Sequence, residues 1–404
     1  MKRLIPTILS LCIGVGAHAQ FTIGSGASAP TLSSPISAMP SGKIAYDPAT
    51  IPQRRAGKNR EIIEPGTSIN YYPPVGDLVG TSQGAWRISC RFSHISFDDP
   101  IVWPGRSGMT HMHQFFGNTG TRSASDLANM ASSGSSTCDG GIANRTGYWA
   151  PVLIDTRNGK VVWAHDGNFY YKTAFDWSAG QWFPIGHRMI IGNPNAATEA
   201  DNTDQVYSEC YAGGTPVSRT KHLPTSQEGR DAVAAFKAVH GTDPANGGLA
   251  DSYTGCTSIN FFMGFPTCWD GVNLDSPDHI SHMSYWNTNT TPSHCGGAFP
   301  VPLPIMTVNM HTAVNNDDLD YLRLSSDLPA SSGRAAGVSL HTDRVEGFSR
   351  NPNFAGFGRT IIDIVMDRCL GRNGGYYGTG GAFDCHDDEI GSPLNNGIVW
   401  RLGE

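Results

Sequence analysis

The sequence has no C-x-x-C pair, no run of lysine or arginine longer than two residues, and no stretch approaching about 18 consecutive apolar residues. The first absence removes the usual thiolate zinc motifs. The second, together with a formal net charge of −7, removes the concentrated basic surface that nucleic acid and anionic membranes require. The third removes a membrane-spanning helix. Charged residues make up only 16% of the chain, so the places where titratable side chains crowd together stand out.

What the chain does have begins with a leader. Lys2 and Arg3 precede an apolar run from Leu4 to Val15, and Ala17-His18-Ala19 places small residues at both cleavage-determining positions. The expectation is an exported protein, extracellular or periplasmic, whose mature chain starts at Gln20. Of nine cysteines, Cys12 falls in the leader and the other eight read as up to four disulfides, because an oxidising compartment favours bridges over free thiols. Cys369 and Cys385 are close enough in sequence to staple a glycine-rich C-terminal loop. Residues 20–60 are rich in Ser, Pro, Gly and Ala and read as a linker or surface-draped extension. Residues 61–404 show no internal repeat and no second boundary, and read as one domain.

The fold class expected is mainly β: antiparallel, sandwich-like sheets with long loops and a few short helices, stapled by disulfides. There are 48 glycines and 26 prolines among 404 residues, above the average of about 12% for the two together. Tyr148 to Ile154 and Lys160 to Trp163 read as strands joined around Asn158-Gly159, a hairpin signal. Further strands are expected at Arg188 to Ile191, Ser258 to Met263, Ile305 to His311, Gly337 to His341 and Thr360 to Met366. One helix is expected from Ser226 to His240, with Thr225 and Glu228 as a capping box and Gly241 as its stop.

Two segments concentrate the chemistry: His111-Met112-His113 and the stretch from Trp269-Asp270 to Asp275, Asp278, His279 and His282. In an extended strand His111 and His113 point the same way and can converge on one ion. A turn behind Ser276-Pro277 places Asp278, His279 and His282 within reach of one another. Neutral imidazole is the commonest metal ligand and a neighbouring carboxylate can orient it; without metal the same groups make an acid–base pair. His341 and Asp343 share a face if their strand continues, and can supply a base or a further ligand. His311 reads as structural. Asp270 and Asp275 equally suit turns. Trp103, Trp269, Tyr285 and Gln114 lie beside these segments, and aromatic side chains stack on the apolar faces of sugars. Tyr285 can also act as acid or base in an elimination. For Phe115 and Phe116 core packing is the expectation.

The blocks Asp99-Pro100-Ile101-Val102, His111 through Asn118, Tyr148-Trp149-Ala150-Pro151, Arg188 through Pro194 and Phe265 through His282 resemble the DUF1996 family of secreted fungal and bacterial proteins. The similarity covers roughly residues 85–350. It implies export and, since some members carry carbohydrate-binding or cell-wall-associated modules, a glycan context. The chain departs from the pattern at Phe299, where a histidine is expected before Pro300-Val301. The reading that follows is a secreted carbohydrate-active enzyme, a metal-assisted hydrolase of a polysaccharide or other glycan. In it His111, His113 and His282 hold a divalent metal, and Asp278, His279, Tyr285, His341 and Asp343 supply catalytic groups. Trp103, Gln114, Trp269, Asp270 and Asp275 contact substrate. A polysaccharide lyase or a copper oxidoreductase uses nearly the same residues, and a non-catalytic glycan-binding or envelope protein is the competing class. No nucleic-acid or membrane partner is expected; oligomeric state stays open.

Overall fold

The computed structural model describes residues 44–51, 84–138, 141–172, 180–286, 295–352, 360–366, 370 and 383–385. The chain divides into residues 1–31 and 32–404, and every described residue belongs to the second unit. The fold is mostly β, with one large antiparallel sheet and few short helices. Its strands are β1 (Gly84–Ser96), β2 (His113–Gly117), β3 (Gly147–Pro151), β4 (Asp166–Lys172), β5 (Arg188–Gly192), β6 (Val206–Ala212), β7 (Thr215–Thr220), β8 (Ser258–Gly264), β9 (Ile305–Ala313) and β10 (His341–Val345). They lie in the order β5, β10, β3, β2, β1, β4, β9, β8, β6, β7, and an eleventh strand, Phe383–Cys385 (β11), joins β1 in parallel.

A break in register divides this sheet. β1 pairs with β4 from Ala85 to Arg91, then shifts between Phe92 and His94 to pair with β2. Such a bulge bends and twists a strand, so β2, β3, β10 and β5 form a wing set off from the rest. In the larger half burial alternates as a half-exposed strand requires: along β4, Gly167, Phe169 and Tyr171 are buried while Asp166 is exposed. In the wing, β2, β3 and β10 are buried at every position. One face supplies Phe116, Tyr148, Ala150, Met189 and Ile191 to the main core, where they meet Ile88, Phe169 and Val308. The other face carries Phe115, Trp149 and Val345 and is roofed by Ile101 from the connection between β1 and β2 and by Leu127 and Met130 from that between β2 and β3. Each large apolar side chain so enclosed contributes about 1.5–3 kcal/mol.

Among the described residues there are also two small three-stranded sheets. One contains Cys268–Trp269, Met283–Ser284 and Val301–Pro302; the other contains Leu153–Asp155, Lys160–Val162 and Leu322–Leu324. The Asn158-Gly159 hairpin is present, with Gly159 in the left-handed region at φ 74°. The single strand expected from Tyr148 to Ile154 is split instead, and its halves join different sheets on either side of Val152. The helix Ser226–His240 forms as expected, with the reciprocal Thr225 and Glu228 cap and Gly241 beyond its end. Val233 anchors it on Ala212 and Leu249.

Two expected strands are corrected. Thr360 to Met366 contains a helical turn, Ile361–Ile364, because Thr360 and Asp363 cap each other's backbone N–H groups and override the β-branched composition. Gly337 to Leu340 is a turn: Gly337 stands at φ 82° and its N–H is taken by Asp327, so β10 starts only at His341.

Three disulfides join Cys90 to Cys138, Cys210 to Cys256 and Cys268 to Cys295. Cys369 lies outside the described residues. The first bridge fixes the roof of the wing to β1 and closes a loop with a sequence separation of 48 residues. Replacing Cys90 and Cys138 together by serine is therefore expected to lower unfolding free energy by about 2–4 kcal/mol, read from denaturant titration of tryptophan fluorescence. An unchanged midpoint would show that the bridge constrains little. Among the described residues no helix is long and apolar enough to cross a membrane.

Candidate metal centre

The roofed face of the wing collects polar residues that its apolar surroundings do not account for. β3 sets Pro151 beside His113 and Trp149 beside Phe115 on one side, and Trp149 beside Asp343 on the other. His341, two residues before Asp343, thereby comes level with His113 across one intervening strand. His111 reaches the same face, because two residues of extended backbone restore the direction of a side chain. On the outer side β5 sets Gly192 against His341, and a Cβ on Gly192 would lie 2.3 Å from the Leu340 carbonyl. Only glycine permits that approach.

The three imidazoles meet through Nε2. His111 Nε2 is 3.1 Å and His113 Nε2 is 3.4 Å from His341 Nε2. His113 Nδ1 donates to the Asp98 carbonyl at 3.1 Å and His341 Nδ1 donates to the Ser339 carbonyl at 2.8 Å. A carbonyl only accepts, so each neutral ring carries its proton on Nδ1 and turns an Nε2 lone pair inward. Two inward lone pairs at 3.4 Å repel unless a cation lies between them. A divalent ion with metal–nitrogen bonds of about 2.1 Å spaces its nitrogens about 3.0 Å apart at right angles and about 3.4 Å apart in a tetrahedron. The observed spacings match.

Carboxylates stand beside the rings. Ligand atoms of Asp99, His113 and Asp343 lie within 4.8 Å of one another, as do those of His111, His113 and His341, and all five residues are buried. Both Asp343 oxygens are enclosed without a hydrogen-bond partner. Burial first, then the Asp99 charge, pushes the Asp343 carboxyl well above the ordinary range. Asp99 is raised to about 6 by burial, against the N–H groups of Val102 and Ile101 and the charge of His279. Burial, then the charge of His341, pushes His113 well below its usual value, against its bond to the Asp98 carbonyl. Neutral imidazoles beside an Asp343 carboxyl with no partner are a donor set that could hold a divalent cation, since an isolated buried carboxylate costs several kcal/mol.

The second histidine-rich segment lies along the outer edge of β5. Arg188 N–H donates to the Leu274 carbonyl and Ile190 N–H to the His279 carbonyl, while Arg188 Nε pairs with Asp275 at 2.7 Å. His282 is not part of the three-histidine group. Its Nδ1 lies 2.9 Å from Ser276 Oγ, and its ring lies 5.1 Å from His187. Asp278 accepts from Ser276 Oγ and from the N–H groups of Ile280 and Ser281, which hold its carboxyl well below the usual range. Asp270 accepts from Val272 and Asn273 in the same fashion. Both carboxylates tie turns. Tyr285 donates to the Gly264 carbonyl at 2.9 Å, and Trp269 Nε1 donates to the Asn273 carbonyl at 2.7 Å. Gln114 is buried, its Nε2 donating to the Pro151 carbonyl and its Oε1 accepting from Ala164 N–H. Trp103, partly exposed, sits on the loop that carries Asp99, with the Arg106 guanidinium 4.8 Å over its ring.

Asp99 is the member of the cluster that spacing alone does not reveal. Its Oδ1 accepts from Ile101 and Val102 N–H groups, the behaviour of any aspartate before proline at a turn. The only sequence mark is the doubled acid, Asp98-Asp99, ahead of the histidine pair.

Neither a curated protein nor a solved structure matches the sequence. The family model described as a domain of unknown function, DUF1996, matches residues 99–348 and so spans both the roof of the wing and β10. The chain belongs to the DUF1996 family.

Proposed function

We propose that this is an exported, metal-dependent hydrolase of a polysaccharide or other glycan, with His111, His113 and His341 as ligands and Asp343 beside them. The inward convergence of Nε2 atoms at 3.1 and 3.4 Å carries the proposal. A divalent ion at such a centre supplies Lewis acidity and acidifies a water. The protein supplies a dry enclosure, fixed ring orientations through Asp98 O and Ser339 O, and Asp99 with a pKa of about 6 as a proton acceptor near neutral pH. Export is supported by the leader in the sequence and by three disulfides. The glycan is supported by the partly exposed Trp103 on the Asp99 loop.

Elemental analysis of the mature protein, purified from an oxidising compartment without chelator or metal-affinity resin, tests the reading. One zinc or manganese per chain supports it; copper moves the chemistry to oxidation; absence of metal after incubation with each ion refutes it. One observation favours a second reading. The ligands are only 8%, 0% and 2% exposed, and a closed site is the mark of a structural ion. In that case the ion serves a non-catalytic envelope or glycan-binding protein, and its removal lowers the melting temperature without abolishing binding to a polysaccharide column.

A further inference from the structure

His279 is the single non-glycine residue among the described residues with a positive φ, 61°. A left-handed backbone costs a side-chain-bearing residue roughly 1–2 kcal/mol, and glycine would avoid that cost. Here the conformation is held from both sides: His279 N–H donates to the Ser276 carbonyl at 2.9 Å and its carbonyl accepts from Ile190 N–H at 3.0 Å. Ile190 pairs with Asp343 across the β5–β10 ladder, so the strained residue is docked beside the row that carries the buried carboxylate. Strain of this kind persists where the side chain it presents is needed.

That side chain is oriented. Nδ1 lies 2.9 Å from Asp275 Oδ1, and Asp275 is held in turn by Arg188 through its other oxygen. Nε2 has no hydrogen-bond partner among the described residues, and the side chain is 21% exposed. The charged and titratable groups around the ring are Asp275 and Arg188, which flank it, and Asp99, which is near enough for the two to shift each other's titration. His279 thus meets solvent, and its backbone is tied to the strand that pairs with Asp343.

We propose that His279 is the proton-donating residue of this site, with Asp275 as its positioning partner. The inference rests on the hydrolase reading given above. In one turnover the C–O bond to the departing oxygen breaks and a C–O bond to water forms; the water gives a proton to Asp99, the departing oxygen takes one from His279 Nε2, and His279 keeps its Nδ1–H on Asp275 while Asp99 returns its proton to solvent and His279 is reprotonated from it. An Asp–His pair fixes the tautomer that this requires.

The test is the imidazole titration of His279 by heteronuclear NMR, with and without one equivalent of zinc, in the full mature chain. Expected are an Nδ1–H tautomer and a midpoint that zinc lowers by roughly one unit, because a cation at the cluster disfavours a second positive charge nearby. Asp275→Asn lowers the midpoint without zinc, and His113→Ala abolishes the response to zinc. His279→Gly, whose backbone suits the left-handed position, still takes up zinc stoichiometrically. Zinc uptake with no movement of the His279 midpoint overturns the inference and leaves the metal centre standing. No uptake by the wild-type chain overturns both.

Discussion

Alanine at position 341 is expected to reduce metal affinity by at least 10- to 100-fold, while alanine at position 282 leaves it within a small factor of wild type. The contrast follows from placement. His341 Nε2 stands between His111 and His113 at 3.1 and 3.4 Å, so its loss removes the central donor. His282 bonds Ser276 and neighbours His187, and its ring belongs to neither group of candidate ligands. Competition for zinc with a chromophoric chelator measures both variants. Equal losses at the two positions would mean that the 270–282 loop closes over the ion, contrary to the geometry. Retention of metal by the His341 variant would sink the three-histidine centre outright.

Replacement of Asp343 by asparagine is expected to do two opposed things. With metal present it weakens binding, since a neutral amide replaces an anionic neighbour of the ion. Without metal it stabilises the protein at pH 8 by about 1–3 kcal/mol, because wild type must there either ionise a buried carboxyl that has no partner or hold a proton against the solvent, whereas the amide stays neutral at every pH. The pH dependence follows from linkage. A carboxyl raised in the folded state favours folding while it is protonated, below its unfolded value, and loses that contribution as pH climbs through its folded value. Asp343 is raised well above 3.8, so the advantage of the asparagine variant grows from acid toward pH 8. Buried histidines act in the opposite sense. His113 and His187, both depressed by burial, withdraw stability as pH falls below the ordinary histidine value of about 6.5, and both are present in the two proteins. Denaturant titrations of the two metal-free proteins at pH 5 and pH 8 isolate the difference. An asparagine variant less stable than wild type at pH 8 would show that Asp343 has a partner that offsets its burial.

Local patterns in the sequence carried a good part of this. His111 with His113, and His341 with Asp343, are each two apart in extended chain, so each pair's shared face is readable from strand geometry alone. That the pairs face one another depends on β2, β3 and β10 being neighbours, and long-range pairing leaves no mark in either segment. His282 could not be told from His341 as a ligand for that reason: spacing shows that residues are close along the chain, and the centre is built from residues that are not. Asp270 and Asp278 look acidic in the sequence and prove to be spent on backbone N–H groups, as short loops rich in aspartate and serine often require. Of the fully buried wing strands, β3 was legible as a strand that the fold breaks at Val152, and β10 was expected too early, at Gly337 to His341; neither was legible as two-faced, because the second cover comes from connections whose residues have no periodicity.

His341 follows His111 by 230 residues. An ion held by both therefore acts as a clasp on most of the folded chain, and in entropy it resembles a crosslink closing a very long loop. Such a clasp has no partial form: a segment that ends before residue 341 holds one half of it. On the proposed metal reading, capture of the ion is then a late event, coincident with β10 entering its place between β3 and β5.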